Sequence, residues 1–545
     1  MTAAAAVQTV AATATDAAPL VAFLLVVSVT LLLCFLFGLD SEGTDDLYVA
    51  GRSLRPWRNA FALTGDAISV LTLLSTTGLV ALAGYDGMAM AACTAGALGV
   101  LLVLARPVRN VGSFTLGDTL DARFRHRSIR WAAAVATLGV CLPMAVVQLT
   151  AAGYAAAALL GLSGTAAGQV CTVFIGSMMI CAAALTGMRG NTMLQIAKTV
   201  TLFACMGLLV LAVLTRWEWS PDRLLADARA GSLDSERYFA PGMLFSSDAA
   251  GRFELVAAQL TIMLGAAVMP HMIMRVKAAE HGASARRSVF FAIAMTGVFC
   301  VMAVVLGLGS SAVGAEAPTS GFDPQSAAAL LSLVNSLATE WGGDLLLAMT
   351  VSAVFLTSMT VVAALALSAG AAVVHDVWVQ GVRGGAVAAG AEVKAMRWAT
   401  PLVGVLAVTL AVVAQSWNIQ FLTQAAVGAS ASAILPALVF ALFWKKCTRA
   451  GIVWSVYAGF GSCLLLQFFG PAVSGTPGAL FPAVDFAWYP FDTTGPVSIP
   501  VGFVAGWAAS RLSSRGGRPE SEDRYADVAA RAVLDQENRQ LVSRT

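Results

Sequence analysis

The chain has 545 residues, of which 58% are hydrophobic and only 12% are charged, and its mean hydropathy is +0.78. Soluble domains carry about 25% charged residues, so this composition excludes a soluble fold and predicts an all-α polytopic membrane protein. The net charge of +2 is uninformative. Because the arginines are scattered between apolar runs, and do not form one basic face, no nucleic-acid partner is expected.

Apolar runs of about 20 residues, the length that crosses the hydrocarbon core, occur about thirteen times along the chain. We predict membrane spans at residues 19–39, 58–83, 87–106, 131–160, 164–186, 191–215, 254–275, 288–313, 342–373, 398–416, 419–443, 450–470 and 495–512.

Lys and Arg occur in alternate connections between these spans, whereas the intervening connections 84–86, 161–163, 314–341 and 471–494 contain none. By the positive-inside rule this alternation places the N-terminus outside and the C-terminus in the cytoplasm. The intervening loop 216–253 carries both signs of charge and is long enough to escape the rule. The predicted organisation is an extracytoplasmic tail (1–18), a transmembrane domain (19–512) and a cytoplasmic tail (513–545). Short helices are expected within the outer loop 216–253 and in the tail at 525–541, and neither segment is long enough to bury a core.

Asp66 lies in the middle of the nearly uncharged span 58–83. A charge at that depth costs at least about 2.5 kcal/mol on insertion scales, so Asp66 must face protein, water or an ion. Gly65 and Gly78, with several hydroxyl residues, weaken the helix around it. An unwound helix frees carbonyl oxygens for Na⁺ and exposes a half-helix N-terminus for a carboxylate. The alternative is a helix-packing face made of small residues.

The span 254–275 has a similar interruption, because Gly265 and Pro270 bracket the sequence GAAVMP. Proline removes a backbone donor, and two interrupted helices at corresponding places are typical of a transporter binding site. Gly265, Met269 and Pro270 are therefore candidate substrate-binding residues, with an ordinary proline kink as the alternative. His271 is expected to satisfy a helix end, and a proton-sensitive role is the second possibility.

Two further spans carry polar side chains with less specific meaning. In span 342–373, Thr357 and Thr360 share a helix face and Ser358 lies beside them, although membrane hydroxyls usually bond back to their own helix. Gln148 is buried in an apolar run and must find a partner either on a neighbouring helix or on a substrate.

No enzyme motif is present in the sequence, and the absence of a phosphate-binding loop excludes a built-in ATPase. We therefore expect a protein that is not an enzyme, has no cofactor and depends on an ion gradient for uptake.

Several segments, in order along residues 45–470, carry a family resemblance. They include DDLYVAGRSLRPWRNAFALTGDAIS, LTGMRGNTMLQIAKTV, GAAVMPHMIMRVKAAEHGASARRSVF and FWKKCTRAGIVWSVYAG. The chain resembles the sodium:solute symporter family, and within it the acetate and monocarboxylate permease branch. The resemblance implies a LeuT-like core of five plus five inverted helices, with repeats at about 58–215 and 254–443. It also implies a multi-pass protein of a bacterial cell (inner) membrane.

The family's sodium site is formed by two carbonyls of the first core helix and hydroxyls of the eighth. By position, this implies the carbonyls of Gly65 and Ile68 and the side chains of Thr360 and Val361. Val361 departs from the pattern because it has no side-chain oxygen, and Thr357 or Ser358 is the expected substitute. Asp66 would either hold a second charge near Na⁺ or carry a proton itself. We favour Na⁺ as the coupling ion, with H⁺ as the alternative.

The branch implies symport of a small monocarboxylate such as acetate, propionate or pyruvate. No arginine is expected in the core helices, so a half-helix N-terminus together with Ser69, Thr72 and Gln148 is expected to bind the carboxylate. The alternatives are another small solute, such as an amino acid, and a membrane sensor built on the transporter fold. The sensor is disfavoured because the tail after residue 512 is too short for a signalling domain.

Overall fold

The computed structural model describes residues 43–514 and 521–534, together with five residues between Leu25 and Leu36. Gaps within the first range are 160–161, 163, 247, 315–325, 342, 389, 417–418 and 477–478. The predicted tail 1–18, most of the span 19–39, and residues 515–520 and 535–545 of the C-terminal tail lie outside the described residues.

The described part of the chain is all-helical. The α-helices are α1 Thr44–Val49, α2 Pro56–Ala67, α3 Val70–Ala83, α4 Tyr85–Asn110, α5 Leu116–Asp121, α6 Arg127–Leu159, α7 Thr165–Leu185, α8 Met188–Arg216, α9 Pro221–Gly231, α10 Ala249–Ala267, α11 Pro270–Lys277, α12 Gly282–Ala312, α13 Ser326–Trp341, α14 Gly343–Ala371, α15 Ala391–Val413, α16 Ile419–Ala429, α17 Leu435–Phe443, α18 Arg449–Phe468, α19 Gly495–Ser513 and α20 Ser521–Val533.

Nine helical stretches of the described chain are long and apolar enough to cross a bilayer, and two bent helix pairs raise the number to eleven. These eleven correspond to the predicted spans between 58 and 470. Helix α19 lies where the thirteenth span was predicted. Helix α9 confirms the short helix in loop 216–253, and α20 begins four residues before the helix predicted in the tail.

Both predicted interruptions are present. Helices α2 and α3 meet at an angle of 61° around Ile68 and Ser69, and α10 and α11 meet at 42° around Val268 and Met269. At the first break Ser69 caps α3, because its hydroxyl accepts the amide of Thr72 at 3.0 Å. At the second, Pro270 occupies the first turn of α11, where its missing N–H leaves no bond unmade.

Nine of the described helices pack in two groups. In the first, α12 packs against α2, α3 and α4, and α4 also packs against α3 and α10, whereas in the second α6, α7, α14 and α15 all contact one another. Helix α8 packs against α14 of the second group and against α2 and α12 of the first. Side chains of α8 can therefore contact both groups at once.

Three local features differ from the sequence expectations. The second half of the broken span extends to Lys277, so Arg275 lies in a helix and not in a loop. The loop predicted between residues 106 and 130 contains α5. Helix α14 continues as a π-helix over Ala372–Val382, and a second π-helical turn covers Ser430–Ile434. Such turns insert residues into an otherwise regular helix, which hydropathy patterns do not reveal.

Candidate functional site

Asp66 forms a buried ion pair with Arg275. Its Oδ2 accepts a hydrogen bond from Nε of Arg275 at 2.6 Å, and neither side chain is more than 1% exposed. Its Oδ1 accepts the side-chain amide of Gln195, and Nη1 of Arg275 donates to the hydroxyl of Thr192 at 2.6 Å. A buried pair needs such additional hydrogen bonds to offset its desolvation. The expectation that the core helices contain no arginine was therefore wrong, because Arg275 lies in α11 and not in the loop predicted for it.

Lys198 of α8 binds the backbone at the first break. Its ammonium donates to the carbonyl of Gly65 and, at 2.6 Å, to the carbonyl of Ile68. These are the two carbonyls that the family resemblance assigns to sodium. They belong to the C-terminal end of α2, where the helix dipole favours a cation. Lys198 is 1% exposed, so its charge is stabilised by these oxygens and not by bulk water.

Gly65 allows α8 to approach the break this closely. A Cβ at Gly65 would lie 2.5 Å from the side-chain oxygen of Gln195 and 2.9 Å from the hydroxyl of Thr199. The Thr199 hydroxyl also donates to the carbonyl of Phe61 at 3.0 Å. The contact between α2 and α8 therefore depends on the absence of a side chain at this position.

The predicted hydroxyl ligands of α14 are fully buried, and they bond back to their own helix. Thr357 donates to Ala353 at 2.6 Å, Ser358 to Val354 at 3.3 Å and Thr360 to Leu356 at 3.0 Å. Back-bonding of this kind is ordinary for hydroxyls in membrane helices. Their assignment to ion binding stays a prediction.

Gln148, Ser69 and Thr72 lie together at the N-terminus of α3. The side-chain oxygen of Gln148 accepts the amide of Val70, the first residue of α3, at 3.2 Å. Its Nε2 is buried and has no hydrogen-bond partner among the described residues. The hydroxyls of Ser69 and Thr72 are 3.0 Å apart. The structure thus combines a helix N-terminus, two hydroxyls and an unpaired amide donor, which is the chemistry that binds a carboxylate.

The candidate residues at the second break, between α10 and α11, differ in what they contact. The carbonyl of Gly265 accepts the hydroxyl of Ser430 at 2.8 Å, and a Cβ at Gly265 would lie 2.2 Å from the carbonyl oxygen of Val427. Gly265 thus has a clear packing role against α16. Met269 packs in a buried apolar cluster. His271 is buried, and its Nδ1 has no partner in the described part of the chain.

A second buried polar cluster consists of Asp118, Arg130, His375, Asp376 and Glu392. Arg130 contacts Asp118 at 2.5 Å, Asp121 at 2.9 Å and Asp376 at 3.1 Å, while His375 lies 2.7 Å from Glu392 and 3.2 Å from Asp118. Burial alone would raise the pKa of Asp118, but His375 and Arg130 hold that pKa well below its usual range. Asp118, His375 and Asp376 are close enough for a metal ion. Arg130 already supplies positive charge to both carboxylates.

Sequence reasoning missed Lys198 and Arg275, although a usable signal existed. Lys198 is a basic residue inside the predicted span 191–215, and an ionisable residue at membrane depth indicates function as much as Asp66 does. Arg275 stands at the edge of a predicted span, where boundaries are least certain. The pairing of both residues with the first break is a tertiary contact that no local pattern contains.

Comparison with known proteins gives a consistent result. A model of the sodium:solute symporter family matches residues 47–459. A monocarboxylic acid transporter from Corynebacterium glutamicum is 33% identical over 520 residues, which cover 93% of this chain and 92% of that protein. The uncharacterized symporter YwcA of Bacillus subtilis is also 33% identical, over 94% of this chain and 97% of its own length.

Solved structures with similar folds are transporters. A Na⁺-coupled sialic acid symporter in a substrate-bound outward-open state superposes with a TM-score of 0.70 at 12% identity, covering 91% of this chain and 98% of that chain. The inward-facing conformation of Mhp1 gives 0.55 at 14% identity, with 88% and 95% covered. These similarities confirm the predicted LeuT-like helical fold.

Proposed function

Because the chain belongs to the sodium:solute symporter family, we propose that it imports a small monocarboxylate together with a cation. The substrate is an acid of the size of acetate, propionate or pyruvate. The route is alternating access across a bacterial cell membrane, with the substrate bound between the two broken helices.

The observation that carries this proposal is the unpaired Nε2 of Gln148 beside the N-terminus of α3. A buried donor without a partner costs about 1–3 kcal/mol, so a site that contains one is favourable for a ligand that accepts its hydrogen bond. A carboxylate has such acceptors, and the positive end of the α3 dipole favours its negative charge.

The charges at the break support an anion with a single negative charge. Asp66 contributes one negative charge, whereas Arg275 and Lys198 contribute two positive charges with both side chains protonated. The excess of one positive charge complements one carboxylate and disfavours a cationic or neutral solute. The name of the Corynebacterium relative, a monocarboxylic acid transporter, agrees with this substrate class.

The proposal is tested by uptake of ¹⁴C-acetate into proteoliposomes with an imposed ion gradient and a panel of unlabelled competitors. Acetate, propionate and pyruvate should compete, whereas amino acids and dicarboxylates should not. Gln148→Leu should raise KM for acetate, because leucine has a similar size but lacks the unpaired amide donor.

The matched control is Gln415→Leu. Gln415 is also buried with an Nε2 that has no partner among the described residues, but it lies in the 3-10 turn that follows α15, and its side-chain oxygen accepts the hydroxyl of Thr172. We expect the Gln415→Leu variant to have the same KM for acetate as the wild-type protein. If an ion gradient drives uptake of an amino acid but of no monocarboxylate, the alternative of another small solute replaces this proposal. Binding without any transport would favour a sensor.

A further inference from the structure

We infer that the ammonium group of Lys198 is a tethered cation that takes the place of sodium at the carbonyls of Gly65 and Ile68. Transport by this chain then requires no Na⁺ at this position. The inference deepens the proposed function, because it specifies which cation occupies the site beside the substrate.

The geometry of the two carbonyls is the first argument. Nζ of Lys198 bonds both oxygens, and its distance to the Ile68 oxygen is 2.6 Å. A sodium ion bound to the same oxygens would need the same space as the ammonium. Two cations beside the same pair of carbonyl oxygens would also repel each other strongly in a buried site. Na⁺ and the ammonium group therefore exclude one another.

The remaining side of the implied sodium site departs from the family pattern. At the two positions that the family pattern assigns to hydroxyls, the chain offers Thr360 and Val361, and Val361 has only carbon atoms in its side chain. Sodium binds through several hard oxygen ligands, so loss of one ligand weakens the site. The residues present therefore fit an ammonium, which needs only acceptors for its N–H groups, better than they fit Na⁺.

Asp66 does not supply a negative charge for an added sodium ion. Both of its oxygens are engaged, one by Arg275 and the other by Gln195. With Lys198 in place, the charged groups at the break already carry one excess positive charge. A sodium ion would raise the excess to two, whereas a single carboxylate substrate neutralises the excess that exists.

The position of Lys198 also fits a role in the transport cycle. It is carried by α8, which packs against both helix groups, and it contacts the break in α2 and α3 of the first group. Gln148 of the second group bonds Val70, two residues beyond Ile68. The tethered cation and the proposed carboxylate site therefore lie at the same short break.

The experiment measures thermal unfolding of the purified full-length protein in detergent as NaCl replaces choline chloride at constant ionic strength. The wild-type melting temperature should not change with Na⁺. Lys198→Ala removes the ammonium and leaves two free carbonyls, so its melting temperature should rise with Na⁺ in a saturable way. In proteoliposomes, Na⁺ but not choline should restore acid uptake to this variant.

The matched control is Lys277→Ala. Lys277 is equally buried, but its ammonium contacts the single carbonyl of Val111 at 3.0 Å. No Na⁺-dependent stabilisation is expected for this variant. Saturable stabilisation of the wild-type protein by Na⁺, or a folded Lys198→Ala protein that ignores Na⁺, would overturn the inference. Because the unfolding assay uses no substrate, it tests the inference even if the protein transports no monocarboxylate. The wild-type measurement also gives a result if the Lys198→Ala protein does not fold.

Discussion

Both carboxylate oxygens of Asp66 accept hydrogen bonds from protein side chains, one from Arg275 and the other from Gln195. The ion pair, the Gln195 amide and the Thr192 hydroxyl form one buried network between α2, α8 and α11. We therefore expect the folded break to depend on Asp66 whether or not this residue also takes part in ion coupling. A loss of uptake on its substitution would not by itself identify an ion ligand.

We predict that Asp66→Asn destabilises the protein by about 3–5 kcal/mol, because it leaves the guanidinium of Arg275 buried without a counter-charge. The double variant Asp66→Asn/Arg275→Gln should lose less than the sum of the single variants, because the two groups interact directly. Unfolding in detergent measures both effects. The exposed pair Arg223–Glu218 is the control, and Arg223→Gln should cost about 1 kcal/mol or less. Additive losses would contradict the pairing.

At this scale the sequence predicts the importance of Asp66 but not its partner. The cost of a charge in an apolar run is a local property, and it singles out one residue reliably. The identity of the partner depends on how α8 and α11 pack against α2. Arg275 and Lys198 are separated from Asp66 by 209 and 132 positions, so no local pattern links them.

The two broken helices determine the architecture of the centre. Each break has a local cause, namely the Ser69 cap at the first and Pro270 at the second, and the amino-acid pattern alone predicts both interruptions. The π-helical segments were not predicted, because an extra residue in a turn leaves the apolar pattern of a membrane helix unchanged.

The close approach of α2 and α8 leads to a second prediction. Gly65→Ala would place a methyl group 2.5 Å from the Gln195 side-chain oxygen and 3.1 Å from its backbone carbonyl, so α8 must shift away from the break. The melting temperature should fall and acid uptake should decrease, because both Lys198 and Gln195 lose their geometry. Gly207→Ala on α8, where a methyl group meets only open space, should leave both unchanged. Equal behaviour of the two variants would refute this packing argument.

At the scale of the molecule, buried ion pairs between described residues join the two implied repeats both at the break and in the second cluster. Asp66 and Arg275 join them at the break, and Arg130 joins Asp118 to Asp376 in the second cluster. Alternating access requires groups of helices to move relative to one another, and α8 lies between the two groups. The sequence implied the inverted repeat through its family resemblance, whereas the contacts between repeats required the structure.

We predict that Arg130→Met destabilises the protein by more than about 3 kcal/mol, because Asp118 and Asp376 lose their shared guanidinium and remain buried. Unfolding in detergent measures the loss. Arg216→Met is the comparison, because Arg216 is exposed where it donates to the carbonyl of Ser336 on α13, and its loss should change stability by less than about 1 kcal/mol. Similar losses for the two variants would show that the cluster does not hold the repeats together.

The most direct test of the central claim is the initial rate of ¹⁴C-acetate uptake by wild-type proteoliposomes, with Na⁺ replaced by choline on both sides at fixed pH and membrane potential. If Lys198 occupies the cation site beside a carboxylate site, uptake is substantial and the rate is the same in both salts. Acid uptake that disappears in choline would contradict the account.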